Sequence, residues 1–200
     1  MHNQFSTPMV RSAAWTNASP WLRTPAVIVG GSLLLAICAH VSIPLWFTPV
    51  PLSLQPFGVL LLGFLLAPRV AAATLIAYLG EGIAGLPVFA PGIASGAAHL
   101  LGPTGGYLMA YPVAALLISF VWRRSGRGFF AAFASAALGD LLILLCGAAW
   151  LAAITPVRPT SVLFTSLLAF LPGDMLKAAA AASIAWGNQR ARNRTNQVVF

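Results

Sequence analysis

The chain has 200 residues, of which 59% are hydrophobic and 7% charged, with a mean hydropathy of +0.87 and a formal net charge of +8. A water-facing domain carries about 25% charged residues, so a soluble globular fold is excluded and an integral membrane protein is expected. The positive charge does not describe a nucleic-acid surface, because the arginines gather in short connectors and near the chain ends, which is the pattern that sets membrane topology.

Residues 1–24 are polar and mixed, with Arg11 and Arg23, and no apolar run follows an early basic cluster. They are expected to form a short tail rather than a cleaved signal peptide. Pro25 to Ile43 is the first spanning candidate, close to the ~20 residues a bilayer requires. Pro44 to Pro56 (PLWFTPVPLSLQP) holds four prolines beside Trp46 and Phe47. Proline removes helical donors, so this segment is expected as an extended interfacial loop. Phe57 to Ala67 and Val70 to Gly85 follow as short helices, separated by Pro68 and Arg69, with Glu81 near the far end of the second.

The stretch from Gly85 to Tyr107 (GLPVFAPGIASGAAHLLGPTGGY) is apolar, yet Pro87, Pro91, Pro103 and six glycines bar a plain spanning helix. Irregular backbone at membrane depth survives where protein buries it or where it lines a cavity. It is therefore expected to be a structured loop at the mouth of a bundle. Gly106 to Trp122 and Phe129 to Leu151 are the next two helices, and the second carries Asp140 near its middle, an unusual place for an ionisable group. Thr155 to Thr160 is a turn, and Ser161 to Phe170 is apolar but too short to span. Leu171 to Trp186 is the last helix, with Pro172 in its first turn, and Arg190, Arg192 and Arg194 are expected to end it.

These elements make one domain: an all-α, six-transmembrane-helix bundle over residues 25–187, with a structured extracytoplasmic loop after helix 3, a tail over 1–24 and a basic tail over 188–200. With both termini in the cytoplasm, every arginine of the connectors falls inside except Arg158. That orientation gathers Pro44–Pro56, Gly85–Tyr107 and the Asp174 end of the last helix on the outer side. Cys38 and Cys146 lie in apolar segments without metal-ligand spacing and are expected to be unpaired thiols, with no metal and no cofactor.

Asp174 and Lys177 stand three residues apart on the last helix and share a face. They form either a structural ion pair or two polar anchors for a small polar ligand, a carboxylate accepting ligand N–H groups and an ammonium donating. In the opening of the bundle, Tyr107, His99 and Ser95 can hydrogen-bond a ligand and Phe89 can pack on it. Asp140 is read as a cavity polar group or a neutral acid, and Glu81 as an interfacial charge. The pairs Gly139–Asp140 and Gly173–Asp174 raise an alternative, an intramembrane aspartyl protease using Asp140 and Asp174. It lacks the fuller G-x-G-D pattern, since Ala137 and Leu171 stand where the first glycine would be.

Four motifs, IPLWFTPVPLSLQ (Ile43–Gln55), GLPVFA (Gly85–Ala90), GPTGGY (Gly102–Tyr107) and LPGDMLK (Leu171–Lys177), together resemble the BioY family, across nearly the whole span from Pro25 to Trp186. The resemblance implies a six-helix membrane bundle that binds biotin as the S-component of an energy-coupling-factor (ECF) transporter. It implies that Asp174 and Lys177 hold the biotin head group near the outer face of a prokaryotic inner membrane. It further implies partners in the bilayer, an ATPase pair and a transmembrane coupling protein, with uptake rather than catalysis as the role. The chain itself contains no G-x-x-x-x-G-K-[ST] sequence for ATP.

Overall fold

The computed structural model describes residues 20–91, 96–156, 161 and 168–197. Helix α1 spans Pro20–His40, and two short strands follow, β1 at Ser42–Ile43 and β2 at Leu52–Ser53. Helix α2 is Gln55–Leu65, α3 is Pro68–Ile83, and the short α4 is Ala97–Leu101. Helices α5 (Gly105–Arg124), α6 (Phe129–Ile154) and α7 (Leu171–Gln197) complete the order.

The proline-rich segment is not extended throughout. It folds back as a small antiparallel hairpin in which Ser42 faces Ser53 and Ile43 faces Leu52. The amide of Leu54 also donates to the carbonyl of Val41 at 3.0 Å. Pro56 and Pro68 sit in the first turns of α2 and α3, whose amides would have no helical partner, whereas Pro25 and Pro112 lie inside α1 and α5. The Gly85–Tyr107 stretch departs from a helix at Gly85, with φ +92°, and at Gly96, with φ +62°, backbone settings that side-chain-bearing residues rarely adopt. Directly after Gly96 it contains α4, which its proline and glycine content had hidden.

The last helix runs beyond Trp186 to Gln197, so the arginines do not end it. Arginine, glutamine and alanine are good helix formers. Arg190 also lies over the Trp186 ring at 4.1 Å, and Gln189 donates to Asn193 one turn on. Residues 157–160 of the TPVRPT turn, with Arg158, and most of Ser161–Phe170 lie outside the described residues.

Six helices close a ring in the order α1, α3, α5, α6, α7, α2, each packed on the next, while α2 and α5 also meet across its middle. Among the described residues, three helices are long and apolar enough to cross a membrane: Arg23–His40 within α1, then α5 and α6. Helix α2 is apolar but only 11 residues long. It rises about 16 Å, roughly half the hydrocarbon thickness.

The buried apolar residues form two clusters. One surrounds the hairpin end of the bundle and includes Leu35, Leu75, Tyr78, Leu108, Tyr111 and Ile143. The other fills the opposite end, where Leu60, Phe64, Ile118 and Trp122 pack against the small residues Ala132, Ala136, Ala178, Ala181 and Ala182. The alanine run on α7 thus lets this helix approach α2 and α6 closely.

Candidate functional site

At the hairpin end, the starting turns of α2, α5 and α7 and the middle of α6 surround a cavity. Its wall runs from Val50 and Pro51 of the hairpin to Lys177 on α7. Helix periodicity explains which residues reach it. Tyr107 and Tyr111 are one turn apart on α5, and Asp140, Ile143 and Leu144 share one face of α6. Asp174 and Lys177 come from the first two turns of α7.

Lys177 Nζ stands 2.8 Å from Asp174 Oδ1, and the two side chains are 12% and 3% exposed. A buried ion pair is costly to assemble unless further hydrogen bonds serve the remaining lone pairs and protons. Here the second Asp174 oxygen and the remaining ammonium protons are available to a guest. Asp140 lines the same cavity, is 1% exposed, and has neither carboxylate oxygen in a hydrogen bond. Native structures rarely leave a buried polar group without a partner, so such an atom in a cavity wall calls for one from a ligand or water.

The rest of the wall is held by a hydrogen-bonded frame. Gln55 Nε2 donates to Tyr78 Oη at 2.8 Å, and Tyr78 Oη donates to the carbonyl of Val88 at 2.8 Å. That chain ties α2 and α3 to the GLPVFA motif. Trp150 Nε1 on α6 donates to the carbonyl of Gly102 at 2.9 Å and so fixes the GPTGG turn that feeds α5. Tyr107 enters the cavity wall over Gly147, which leaves room for its ring.

Of the six residues singled out in the sequence, Asp174, Lys177, Tyr107 and His99 line this cavity. Phe89 stands one layer back, stacked on the His99 ring with centroids 5.0 Å apart and edge-on to Tyr78 at 5.4 Å. It supports the wall rather than forming it. Ser95 lies outside the described residues. Sequence reasoning did not single out Gln55, Thr104, Tyr111 or Phe170, and it left Asp140 without a definite role. Tyr111 was open to discovery as the residue one turn beyond Tyr107, and Gln55 as a lone amide opening an apolar helix. The carboxylate of Glu81, on α3, accepts a hydrogen bond from the Ser32 hydroxyl.

A second concavity adjoins the first and shares Pro51, Ala90, His99 and Thr104 with it. Its remaining wall is largely the proline-rich hairpin loop. The two together form a mainly apolar chamber, with Asp140, Asp174 and Lys177 in its wall, that continues into an apolar, proline-lined vestibule. Such an arrangement orients a small molecule that has a polar hydrogen-bonding end and an apolar body.

The BioY family model matches residues 8–194. The probable biotin transporter BioY of Pyrococcus horikoshii is 38% identical over 76% of this chain and 87% of its own length. Biotin transporter BioY2 of Lactococcus lactis is 32% identical over 86% of this chain and 92% of its own. A crystal structure of the S-component for biotin from an ECF-type ABC transporter superposes with a TM-score of 0.78 at 29% identity, covering 85% of this chain and 92% of that one. These relatives are named as transporters, and nothing among them supports an aspartyl protease, whose second carboxylate would here be engaged by Lys177. The chain belongs to the BioY family of membrane transport proteins.

Proposed function

We propose that this chain is a biotin-binding S-component. It would capture the vitamin at the outer face of a prokaryotic inner membrane and deliver it with an ECF module made of an ATPase pair and a transmembrane coupling protein. The observation that carries the reading is the buried Asp174–Lys177 pair facing the unpartnered Asp140 in a single cavity of a BioY-family chain. Biotin offers two ureido N–H donors, a ureido carbonyl, an apolar thiophane ring and a carboxylate tail. Asp174 and Asp140 supply acceptors for the N–H groups, and Lys177 or Tyr107 supplies a donor for the carbonyl. Leu108, Ile143, Leu144 and Phe170 supply apolar wall for the ring. His99 and Thr104, shared with the vestibule, stand where the tail would emerge.

In this role the protein binds and passes on its ligand without making or breaking bonds in it. Isothermal titration of the purified protein with biotin should give saturable, one-to-one binding and unchanged biotin on recovery. Tight binding of thiamine or riboflavin with none of biotin would overturn the ligand assignment and leave the fold standing.

A further inference from the structure

At the end of the bundle away from the cavity, a second polar concavity lies between α2, α5 and α7. Its rim carries Arg123, Arg127 and Arg192, with Asn188 and Gln189 between them and the buried ring of Trp122 at its base. From Tyr107 in the cavity wall to Arg123, helix α5 rises about 24 Å, so the two sites share no wall.

The positive charge here has no counterpart within the protein's side chains. The chain has three acidic residues in all. Glu81 accepts from Ser32, Asp174 is paired with Lys177, and Asp140 lines the ligand cavity. None borders this concavity.

Topology alone places arginines on one side of a membrane, but it does not converge them. Arg124 and Arg190 show the dispersed alternative, each laid over a ring of its own helix, Phe120 at 4.3 Å and Trp186 at 4.1 Å. Arg123 is instead braced. Its Nε donates to Ser119 Oγ at 3.3 Å and its Nη2 to the Leu66 carbonyl at 3.1 Å, which fixes the guanidinium and leaves the Nη1 protons free to serve a guest. Arg127 is the one described non-glycine residue with positive φ, at 53°, although glycine stands on both sides of it at 126 and 128. A side chain held in that strained setting between two residues better suited to it points to a task for the side chain.

We propose that this concavity binds the phosphate of an anionic lipid headgroup. Guanidinium forks match phosphate oxygens in geometry and charge, and basic pockets between membrane helices suit such headgroups. The depth also fits. Helix α5 has 20 residues and crosses about 30 Å, the thickness of the hydrocarbon layer, so Arg123 at its end lies at phosphate level.

The test uses delipidated full-length protein in a neutral detergent, titrated with phosphatidylglycerol, phosphatidylcholine and inorganic phosphate. Bound lipid is counted by native mass spectrometry and melting is followed in parallel. One molecule of phosphatidylglycerol should bind saturably and raise the melting temperature, while phosphatidylcholine should do neither. The combined variant Arg123→Gln, Arg127→Gln, Arg192→Gln should bind phosphatidylglycerol at least ~tenfold more weakly, since each basic group near an anionic surface matters severalfold. The control Arg124→Gln, Arg190→Gln should bind like the parent. Should the triple variant fail to fold, Arg127→Gln alone carries the test, with a loss of about threefold or more. Equal binding of the two lipids, or equal losses in control and test variants, would overturn the site. Binding of inorganic phosphate as tight as that of the lipid would make it a free-anion site and overturn the lipid assignment. Unchanged lipid binding with loss of a co-purifying protein would assign the arginines to an acidic partner surface instead.

Discussion

The ring of Tyr107 occupies the space in which a side chain on Gly147 would begin: a Cβ there would stand 2.3 Å from three of its ring carbons. The contact involves the root of the ring as well as its edge, so the tyrosine cannot swing aside cheaply. Overpacking of this kind costs about 1–3 kcal/mol. Gly147→Ala should therefore lower the detergent melting temperature and weaken biotin binding by roughly tenfold, because the displaced ring lines the cavity. Parent-like affinity in Gly147→Ala would show that Tyr107 has no part in the site.

Asp174 is expected to matter more for binding than for folding. Asp174→Asn keeps the shape but replaces an acceptor-only group with one that also donates and carries no charge. Hydrogen bonds to a charged partner contribute about 1.5–3 kcal/mol. Biotin binding should weaken by roughly tenfold to a hundredfold, with little change in folded yield. Lys177→Met should also weaken binding, and it should cost stability too, because it strands Asp174 without its partner. Affinity and melting must be measured on the same preparations. An Asp174→Asn protein that fails only because it does not fold would make the pair structural.

Asp140 has the opposite expected signature in the empty protein. Both of its oxygens are buried without hydrogen bonds. A buried carboxylate in that condition destabilises the fold. Asp140→Leu should thus melt no lower than the parent in the absence of ligand, yet bind biotin about tenfold more weakly through loss of an acceptor. A variant that melts lower and binds normally would remove Asp140 from the ligand's contacts.

Tyr78→Phe removes one hydroxyl that bridges Gln55 and the Val88 carbonyl. Stranding those buried partners costs about 1–3 kcal/mol. The expected readout is local: faster hydrogen exchange over residues 85–91, with the amides of α5 and α6 unaffected. Uniform acceleration across the bundle would mean that the bridge stabilises the whole fold rather than the loop.

The orientation is tested with single thiols in a cysteine-free background. A thiol at Trp46, which is 95% exposed, should react with a membrane-impermeant reagent added to intact cells, and one at Ser125 should not. The reverse outcome would invert the topology that the arginines suggest.

The apolar runs and prolines made the helix order legible in the sequence, and the spacing of Asp174 and Lys177 placed them on one helical face. Less visible was anything that depends on which helices meet. Tyr111 reads as an isolated residue in an apolar stretch, and Asp140 as a cavity group or neutral acid with no ligand contact assigned, until α5, α6 and α7 are brought together around one cavity. Gln55 and Tyr78 are 23 positions apart, and only the packing of α2 beside α3 makes them partners. The far extent of α7 was missed for another reason. Its arginines were read as a boundary by the rules of membrane insertion, whereas backbone propensity allows a helix to continue into water.

The second apolar cluster has a consequence for transport. Toward the other end of the bundle from the cavity, Leu60, Ile118, Ala132, Ala136, Ala178, Ala181 and Ala182 are all at 0% exposure and pack α2, α5, α6 and α7 together. A solute resting against Asp140 therefore sits on a solid floor, in a cup rather than a conduit. No rotation of one side chain opens a way down through close-packed helices. Delivery to the far side requires the helices to part or the whole cup to turn over in the bilayer. Either motion is a property of the entire body rather than of any one side chain.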